Sequence, residues 1–522
     1  MEEPSIRRST VSTIVVMVCT FLSRLFGFVR IAVIGAIFGA SGEADVLNAV
    51  FTIPNNLRKL MAEGALSSAF IPVLSKSIVQ NPTQTRKIVQ NILSFQGMVL
   101  IPILILSVVF AYPIVKVLLD FPEMERIHLA TKLFRWMIHY LLLVSISAVL
   151  MGVLNAHHRF LVPSITPILF SIFVISSVLL FWKQMGIFSM VVGVLGGGIA
   201  QVLFQLPQFY AHGYTLKPDF QFNNPPFRQI LKQWAPVVLT ASIYTINEQI
   251  AIRFATALED GSTSAMSNAL VFWQLPFGIF SASVTTVLFP RMSRQAGSSD
   301  FQGVRRTVEH GFRYLIILLI PSALILTLLG KEVIAVAMQR RNFTSFHTLL
   351  TFKVLVGFNV GLLSVGAFNF FQRFFYSLDD YKTPLLTALL VCGLDILLSL
   401  ILKETALRVS GLAYANSISF TLGLIIMYVK TDSKIGPLDL WGILGTLGKV
   451  ILSCLPVAVL CILVKSFSGE LWKEGSSLRG LGFLLLTGLG AGGVLLGMYR
   501  VLGIEILPRR KDKSEVDPGK IR

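Results

Sequence analysis

The sequence predicts an all-α polytopic membrane protein of about fourteen transmembrane helices. They form two parallel six-helix lobes around a central cavity, plus two C-terminal helices. Three observations carry this. The 522 residues are 54% hydrophobic and only 14% charged, with a mean hydropathy of +0.73, whereas soluble domains carry about a quarter charged residues. Apolar runs of spanning length recur along the whole chain, with short gaps that leave no room for a soluble domain. Two segments six helices apart share a motif.

In chain order the segments fall near 10–38, 45–75, 88–117, 128–156, 162–182, 187–210, 228–257, 265–292, 308–329, 347–376, 383–402, 408–429, 443–465 and 480–503. The first is too long for a cleavable signal, holds arginines and lacks an A-x-A-like site. Cys19, Cys392, Cys454 and Cys461 all lie in apolar segments without metal-like spacing and read as packing residues. The formal charge of +18 does not indicate nucleic acid. With both termini in the cytoplasm, the cytoplasmic ends hold about twice as many Lys and Arg as the opposite ends. Arg291, Arg294, Arg305, Arg306 and the tail 509–513 lead that bias, while 39–44 and 258–264 hold no Lys or Arg.

Arginines inside a span are the exception to this pattern. At about 100° per residue, Ser9, Ser12, Thr13, Thr20, Ser23, Arg24, Gly27 and Arg30 share an arc of about 120° on the first segment. On the second, Asp45, Asn48, Thr52, Asn55, Asn56, Lys59, Glu63 and Ser67 recur every three or four residues, with Arg58 beside them. Pro54 in its interior predicts a kink or break. A polar face of spanning length must look onto protein or a wet cavity. Pairing Arg24, Arg30 and Arg58 with Asp45 and Glu63 leaves a surplus of positive charge, which a dry interior would not tolerate. A wet cavity for an anion fits better, and arginine suits a bidentate grip on phosphate or carboxylate.

The repeat links segments two and eight. FTIP (51–54) and IPVLSK (71–76) match FWQLP (272–276) and FPRMSR (289–294), both ending P-x-x-S-[K/R]. Six helices between them give the same orientation, hence parallel lobes at 1–215 and 216–432, followed by 433–505 and a basic cytoplasmic tail at 506–522. Segment seven carries Glu248 and Arg253, the latter on a face with Ser242, Thr245, Gln249 and Thr256. Asp395 stands alone in segment eleven, as a hydrogen-bonded structural group or an ion-coupling one. Gly488, Gly490 and Gly493 fit G-x-G-x-x-G, but no strand precedes them. They and GVLGGG (193–198) read as small residues for close helix packing. His157 and His158 have no acidic or cysteine partner, and no catalytic constellation, metal set or ATP site is visible, so an enzyme is not expected.

The pattern T-x-x-S-R-x-x-G-F-x-R (Thr20 to Arg30), the run at 54–76, RNFT (341–344) and FYSLDDYKTP (375–384) resemble the MurJ/MviN family. These are bacterial lipid II flippases of the multidrug/oligosaccharidyl-lipid/polysaccharide exporter superfamily. The resemblance covers about the first 430 residues. It implies two lobes plus an extra helix pair, and a cavity opening alternately to each side of the bacterial cytoplasmic membrane. It also implies a groove for the polyprenyl tail near the last two helices, within 433–505. Arg24, Arg30 and Arg58 match cavity arginines of the family, and Asp45, Asn55 and Glu63 match polar positions of the same motif.

From residues and resemblance together, the expected diphosphate and head-group ligands are Arg24, Arg30, Arg58, Lys59, Asn55 and Ser23. Asp45, Glu63, Gly27 and Arg253 are expected as polar support or gating residues, and Glu248 and Asp395 as the candidates for ion coupling. No cofactor is expected; the energy source is a coupling ion, Na+ or H+, or the membrane potential. Expected partners are lipid II, membrane lipids and the cell-wall synthesis machinery, with no nucleic acid. Three positions depart from the family. Ile31 follows Arg30 where the family often has Asp, Val271 stands where it has an arginine, and Ala251 stands where some members have an acid that looks sodium-binding. Arg253 is the expected replacement for the missing arginine. The alternatives are a flippase for another polyprenyl-diphosphate-linked glycan, and a drug/cation antiporter of the same superfamily, which would favour acids and aromatics in its cavity.

Overall fold

The computed structural model describes residues 6–61, 65–467 and 478–504, and these are helical almost throughout. Eleven helices are long and apolar enough to cross a membrane, and the pair Ser345–Val360 and Leu362–Ser377, bent by 46°, makes a twelfth. The helices Pro225–Thr256 and Glu43–Met61 have the length but are more polar, and Ala65–Gln80, at 16 residues, is apolar but short. The helical content is consistent with about fourteen segments. Several expected segments are two helices each. Phe110 separates Pro82–Val109 from Ala111–Leu118, and Ile138 and His139 separate Met124–Met137 from Tyr140–Ala156. A π-helical turn, Phe277–Ser281, lies between Ser262–Pro276 and Ala282–Gly297.

Of the kink or break expected at Pro54, the break does not occur. Helix Glu43–Met61 runs through it unbroken. Val46, Leu47, Ala49, Val50 and Ile53 are buried along this helix, and that packing outweighs one lost backbone bond.

The chain forms two compact units: Met1–Phe272 with Ile334–Phe358 and Leu385–Ser419, and Trp273–Val333 with Asn359–Pro384 and Phe420–Arg522. In the first, glycines set the helix spacing. A Cβ on Gly193 would lie 2.8 Å from Val174 Cα, one on Gly197 2.9 Å from Phe170 Cδ2, and one on Gly198 3.0 Å from Leu143 and 3.1 Å from Tyr140. Helix Phe188–Ala211 is therefore pressed onto Leu161–Met185 and Tyr140–Ala156, as small residues allow. In the second unit, Phe368, Phe370, Phe371, Phe374 and Phe375 are buried on one helix, and Gly311 admits the Phe370 ring, whose Cζ would stand 2.3 Å from an added Cβ. The 488–493 glycines correct the expectation. Gly488 and Gly493 have no described atom within 4 Å of a built Cβ, and Gly490 meets only Leu460 Cδ2, at 3.7 Å. Their bare faces do not serve close packing.

Two motif segments are local fasteners. In RNFT, Asn342 Nδ2 donates to Ile37 O at 2.5 Å and its N–H to Ala36 O at 3.3 Å, closing the end of the first helix, Ile6–Phe38. In DDYKTP, Asp380 accepts from Thr383 N at 3.0 Å and Thr383 Oγ1 at 2.9 Å, and pairs with Lys434 at 3.1 Å. Burial opposes its charge, but these donors outweigh burial and hold the carboxyl below the usual range.

Two predictions follow from this packing. Gly193→Ala should lower the thermal-unfolding midpoint of the purified protein by about 2–8 °C, while Gly488→Ala leaves it unchanged; equal shifts would refute the packing account. A depressed carboxyl stabilises above its unfolded value and loses that contribution as pH falls through the folded value. The midpoint difference between wild type and Asp380→Asn should therefore stay constant from pH 8 to about 5 and shrink only in more acid buffer.

Candidate anion pocket of the first unit

A cavity of 430 Å³ lies inside the first unit. Ser23, Gly27 and Arg30 enter it from the first helix, at spacings of four and three that keep them on one face. The second helix, Glu43–Met61, contributes Phe51, Asn55 and Arg58. Arg58 Nε and Nη2 donate to Asn55 Oδ1 at 3.1 and 3.0 Å, which fixes the guanidinium plane. The Arg30 guanidinium lies over the Phe170 ring, 5.2 Å from its centroid. Among the described residues no carboxylate pairs with Arg30, and none lines the cavity. Two cations share one partly enclosed space whose described lining holds no carboxylate.

The opposite wall went unread in the sequence. Tyr140 and Ser147 come from Tyr140–Ala156, Phe170 and Ser171 from Leu161–Met185, and Gln201 from Phe188–Ala211. The glycine contacts at 197 and 198 set the depth of this wall. Its only sequence signal was Gln201 and Gln205, four apart in an apolar helix. A more open cavity of 770 Å³ lies along Asn81, Lys87, Asn91, Asp219 and Asn224, where one lysine is balanced by one acid. Size alone does not make that cavity an anion site.

The other expected residues lie elsewhere. Arg24 is exposed and outside the lining. Lys59 Nζ pairs with Glu248 Oε2 at 2.6 Å and donates to Asn56 Oδ1 at 3.2 Å, tying the second helix to Pro225–Thr256. Arg253 donates to Val117 O and stands 3.8 Å from Asp120. Asp395 is buried and accepts from Asn247 at 2.6 Å, Asn416 at 3.0 Å and Ser399 at 3.4 Å. Glu63 lies outside the described residues. No group of three or more His, Cys, Asp and Glu that could hold a metal occurs among the described residues.

Asp45 takes a different partner from the one its stripe suggested. It is buried and accepts from Gly261 N at 2.9 Å and Ser264 N at 2.6 Å, capping helix Ser262–Pro276. The reverse contact also forms. Asp260 accepts from Gly42 N, at the start of the second helix, at 2.8 Å, and from Arg126 at 2.7 Å. Each helix start is thus held by an acid from the other segment, and these are the two segments related by the sequence repeat. Gly261 has φ +90°, and a Cβ there would stand 3.0 Å from Ala40 O, so only glycine fits this clamp.

The family model described as lipid II flippase MurJ matches residues 34–482. The chain belongs to the MurJ family. A probable lipid II flippase MurJ of Borreliella burgdorferi is 34% identical over 499 residues, covering 96% of this chain and 98% of that protein. One from Buchnera aphidicola subsp. Acyrthosiphon pisum is 30% identical over 500 residues, 94% of this chain and 97% of its own. A solved lipid II flippase MurJ in an inward closed conformation superposes with a TM-score of 0.77 at 24% identity, over 94% of this chain and 99% of that one. An inward-facing multidrug resistance MATE transporter of the MOP superfamily gives 0.67 at 12% identity, over 81% and 98%. MurJ membership and the apolar spans make this an integral membrane protein of a transport family.

The clamp yields a prediction. In a chain without its native cysteines, Ser262→Cys, at a fully buried position, should label slowly with a thiol reagent. Adding Asp45→Ala should speed labelling by about fivefold, since a lost cap costs on the order of 1 kcal/mol. Unchanged labelling would show that the clamp holds nothing closed.

Proposed function

We propose that this chain flips lipid II, the undecaprenyl-diphosphate-linked peptidoglycan precursor, from the inner to the outer leaflet of the bacterial cytoplasmic membrane by alternating access. One observation carries the reading: Arg30 and Arg58 line one cavity, with no carboxylate in its described lining, in a membrane-spanning MurJ-family chain. The diphosphate is held by Arg30 and Arg58, with Asn55 and Ser23 beside them, and Gly27 leaves room for it. Arg24, three residues before Gly27, adds positive charge at the approach. Lys59, paired with Glu248, keeps the second helix in place. The lobes 1–215 and 216–432 alternate, the last two helices within 433–505 take the polyprenyl tail, and both termini stay in the cytoplasm.

Closure at the end that carries the Asp45–Asp260 clamp seals the outer side while the head group loads from the cytoplasm. Release requires the arginines to separate, because a grip equally tight in both states moves nothing. An inward-negative potential draws the empty cationic cavity back, at about 2.3 kcal/mol per charge moved through 100 mV. Glu248 and Asp395 are the carboxylates available to an ion gradient. Arg253, held at Val117 and Asp120, supports the outer end of its helix. Partners in the cell-wall synthesis machinery belong to the same reading.

The test follows lipid II in cells depleted of this protein, with a probe that attacks only externally exposed lipid II. Wild type should restore externalisation. Arg30→Ala and Arg58→Ala, at normal membrane abundance, should each reduce it by about 10- to 100-fold, as expected for a charge-assisted bond. Externalisation that survives depletion, with no second flippase present, would overturn the substrate assignment.

A further inference from the structure

Flipping uses the pocket of Arg30 and Arg58 and leaves the 770 Å³ cavity of the first unit without a role. That cavity lies between the start of helix Pro82–Val109 and the stretch that leads into helix Pro225–Thr256. Residues 214–224 of the stretch form neither helix nor strand, yet they are tied down as a strap. Gln90 Nε2 donates to Thr215 Oγ1 at 2.8 Å, Asn91 Nδ2 to Asp219 O at 3.0 Å, and Asp219 N to Ser94 Oγ at 2.8 Å. Phe222 is stacked on the buried Phe227, with ring centroids 5.4 Å apart. The groove along this strap is therefore preformed.

Its lining is dominated by one chemical group. Asn81, Gln84, Asn91, Gln221, Asn223 and Asn224 are carboxamides, beside one lysine and one acid. A carboxamide carries a donor and an acceptor side by side, as a peptide bond does. The strap's irregular backbone has no sheet partner, and an extended segment laid along it supplies one. Phe220, in the lining, is 63% exposed, and Leu216 is 40% exposed. The two segments that form the groove, 81–91 and 212–232, carry Arg86, Lys87, Lys217, Arg228 and Lys232, all exposed, and a single acid, Asp219. Asp219 Oδ1 already accepts from Gln221 N at 2.9 Å. A small anion gains little in a lining that is itself near neutral. A lipid surface has no use for six carboxamides. The chain's own tail has the wrong sign, with RRKDK at 509–513. An acidic polypeptide in extended form fits each feature: its backbone meets the carboxamides, its carboxylates meet the exposed bases, and an apolar side chain meets Phe220.

We infer that this groove is a docking site for an extended, acidic segment of a soluble protein on the cytoplasmic side of the membrane. This rests on the reading above that keeps both termini, and with them this end of the spans, in the cytoplasm.

The test places photoreactive benzoylphenylalanine at position 220 of the full chain in living cells. Irradiation should join it to a polypeptide, and the joined stretch should be rich in Asp and Glu. Lys87→Glu combined with Lys217→Glu should cut that yield by about five- to tenfold, as two exposed charge pairs turn from attraction to repulsion. The same probe at position 204, exposed on the spanning helix Phe188–Ala211, should give no such product. Phospholipid adducts alone, no polypeptide product, a joined stretch without acids, or a yield indifferent to the charge reversal would each overturn the inference. If the double variant does not reach the membrane, Lys217→Glu alone decides, with a loss of about two- to threefold expected and an unchanged yield overturning it. The side of the membrane is read separately. In a chain without its native cysteines, Lys217→Cys should react with a membrane-impermeant thiol reagent only after the cells are opened. Reaction in intact cells would overturn the orientation proposed above together with this inference. Protection in intact cells without a photoproduct would overturn this inference alone.

Discussion

A guanidinium in an apolar helix has to be turned away from lipid, and much of the first unit follows from that requirement at Arg30. Left facing hydrocarbon, the charge would cost at least a few kcal/mol. It is placed against Phe170 in a cavity shared with Arg58. That placement needs the Phe170 helix close behind it, and the closeness comes from Gly193, Gly197 and Gly198. The glycine stripe and the cationic pocket are therefore one construction. A methyl group at position 197 would act on the ring beneath Arg30 as directly as a substitution of the ring itself.

The carboxylates complete the same logic by their positions. Asp45 is spent on helix Ser262–Pro276, Asp260 on the second helix and Arg126, Glu248 on Lys59, and Asp395 on two carboxamides. Each is engaged by donors elsewhere, and none lines the cavity. Keeping these acids engaged elsewhere leaves Arg30 without a carboxylate partner among the described residues. A self-paired arginine would be cheaper to bury and useless as a receptor.

Helical periodicity was enough to bring Ser23, Gly27, Arg30, Asn55 and Arg58 to one place, because a stripe on each of two adjacent helices has few ways to be hidden. It did not say which members of a stripe meet. Arg24 shares the arc of Arg30 yet stands exposed, and Lys59 sits one residue after Arg58 yet turns to Glu248. Asp45 was expected as polar support or a gating residue of the stripe, and the sequence did not show that its donors are 216 and 219 residues away. The glycines at 193–198 and at 488–493 look alike in sequence. Only the first set is pressed closely onto a neighbour, since close packing belongs to the pair of surfaces and one strip of sequence describes only one of them. The serine and glutamine wall was silent for the same reason. A single Ser or Gln in an apolar helix is ordinary until the helix opposite is known.

Pocket and clamp are also joined through the backbone. The first helix carries Arg30 and ends at Phe38, held there by Asn342. The second begins beside Gly42, held by Asp260, and carries Asp45 and then Arg58. The two arginines and the two clamping acids therefore sit on the same pair of helices, with only the 39–42 connection between them. An anion that draws Arg30 and Arg58 together relieves the repulsion between them at one end of this pair. The hydrogen bonds that fasten the other end are directional and tolerate little rotation. A ligand shifts such an arrangement only by binding one setting of the helices better than another. In the proposed reading two arginines on separate helices supply that difference, because a bound diphosphate would sense the distance between them.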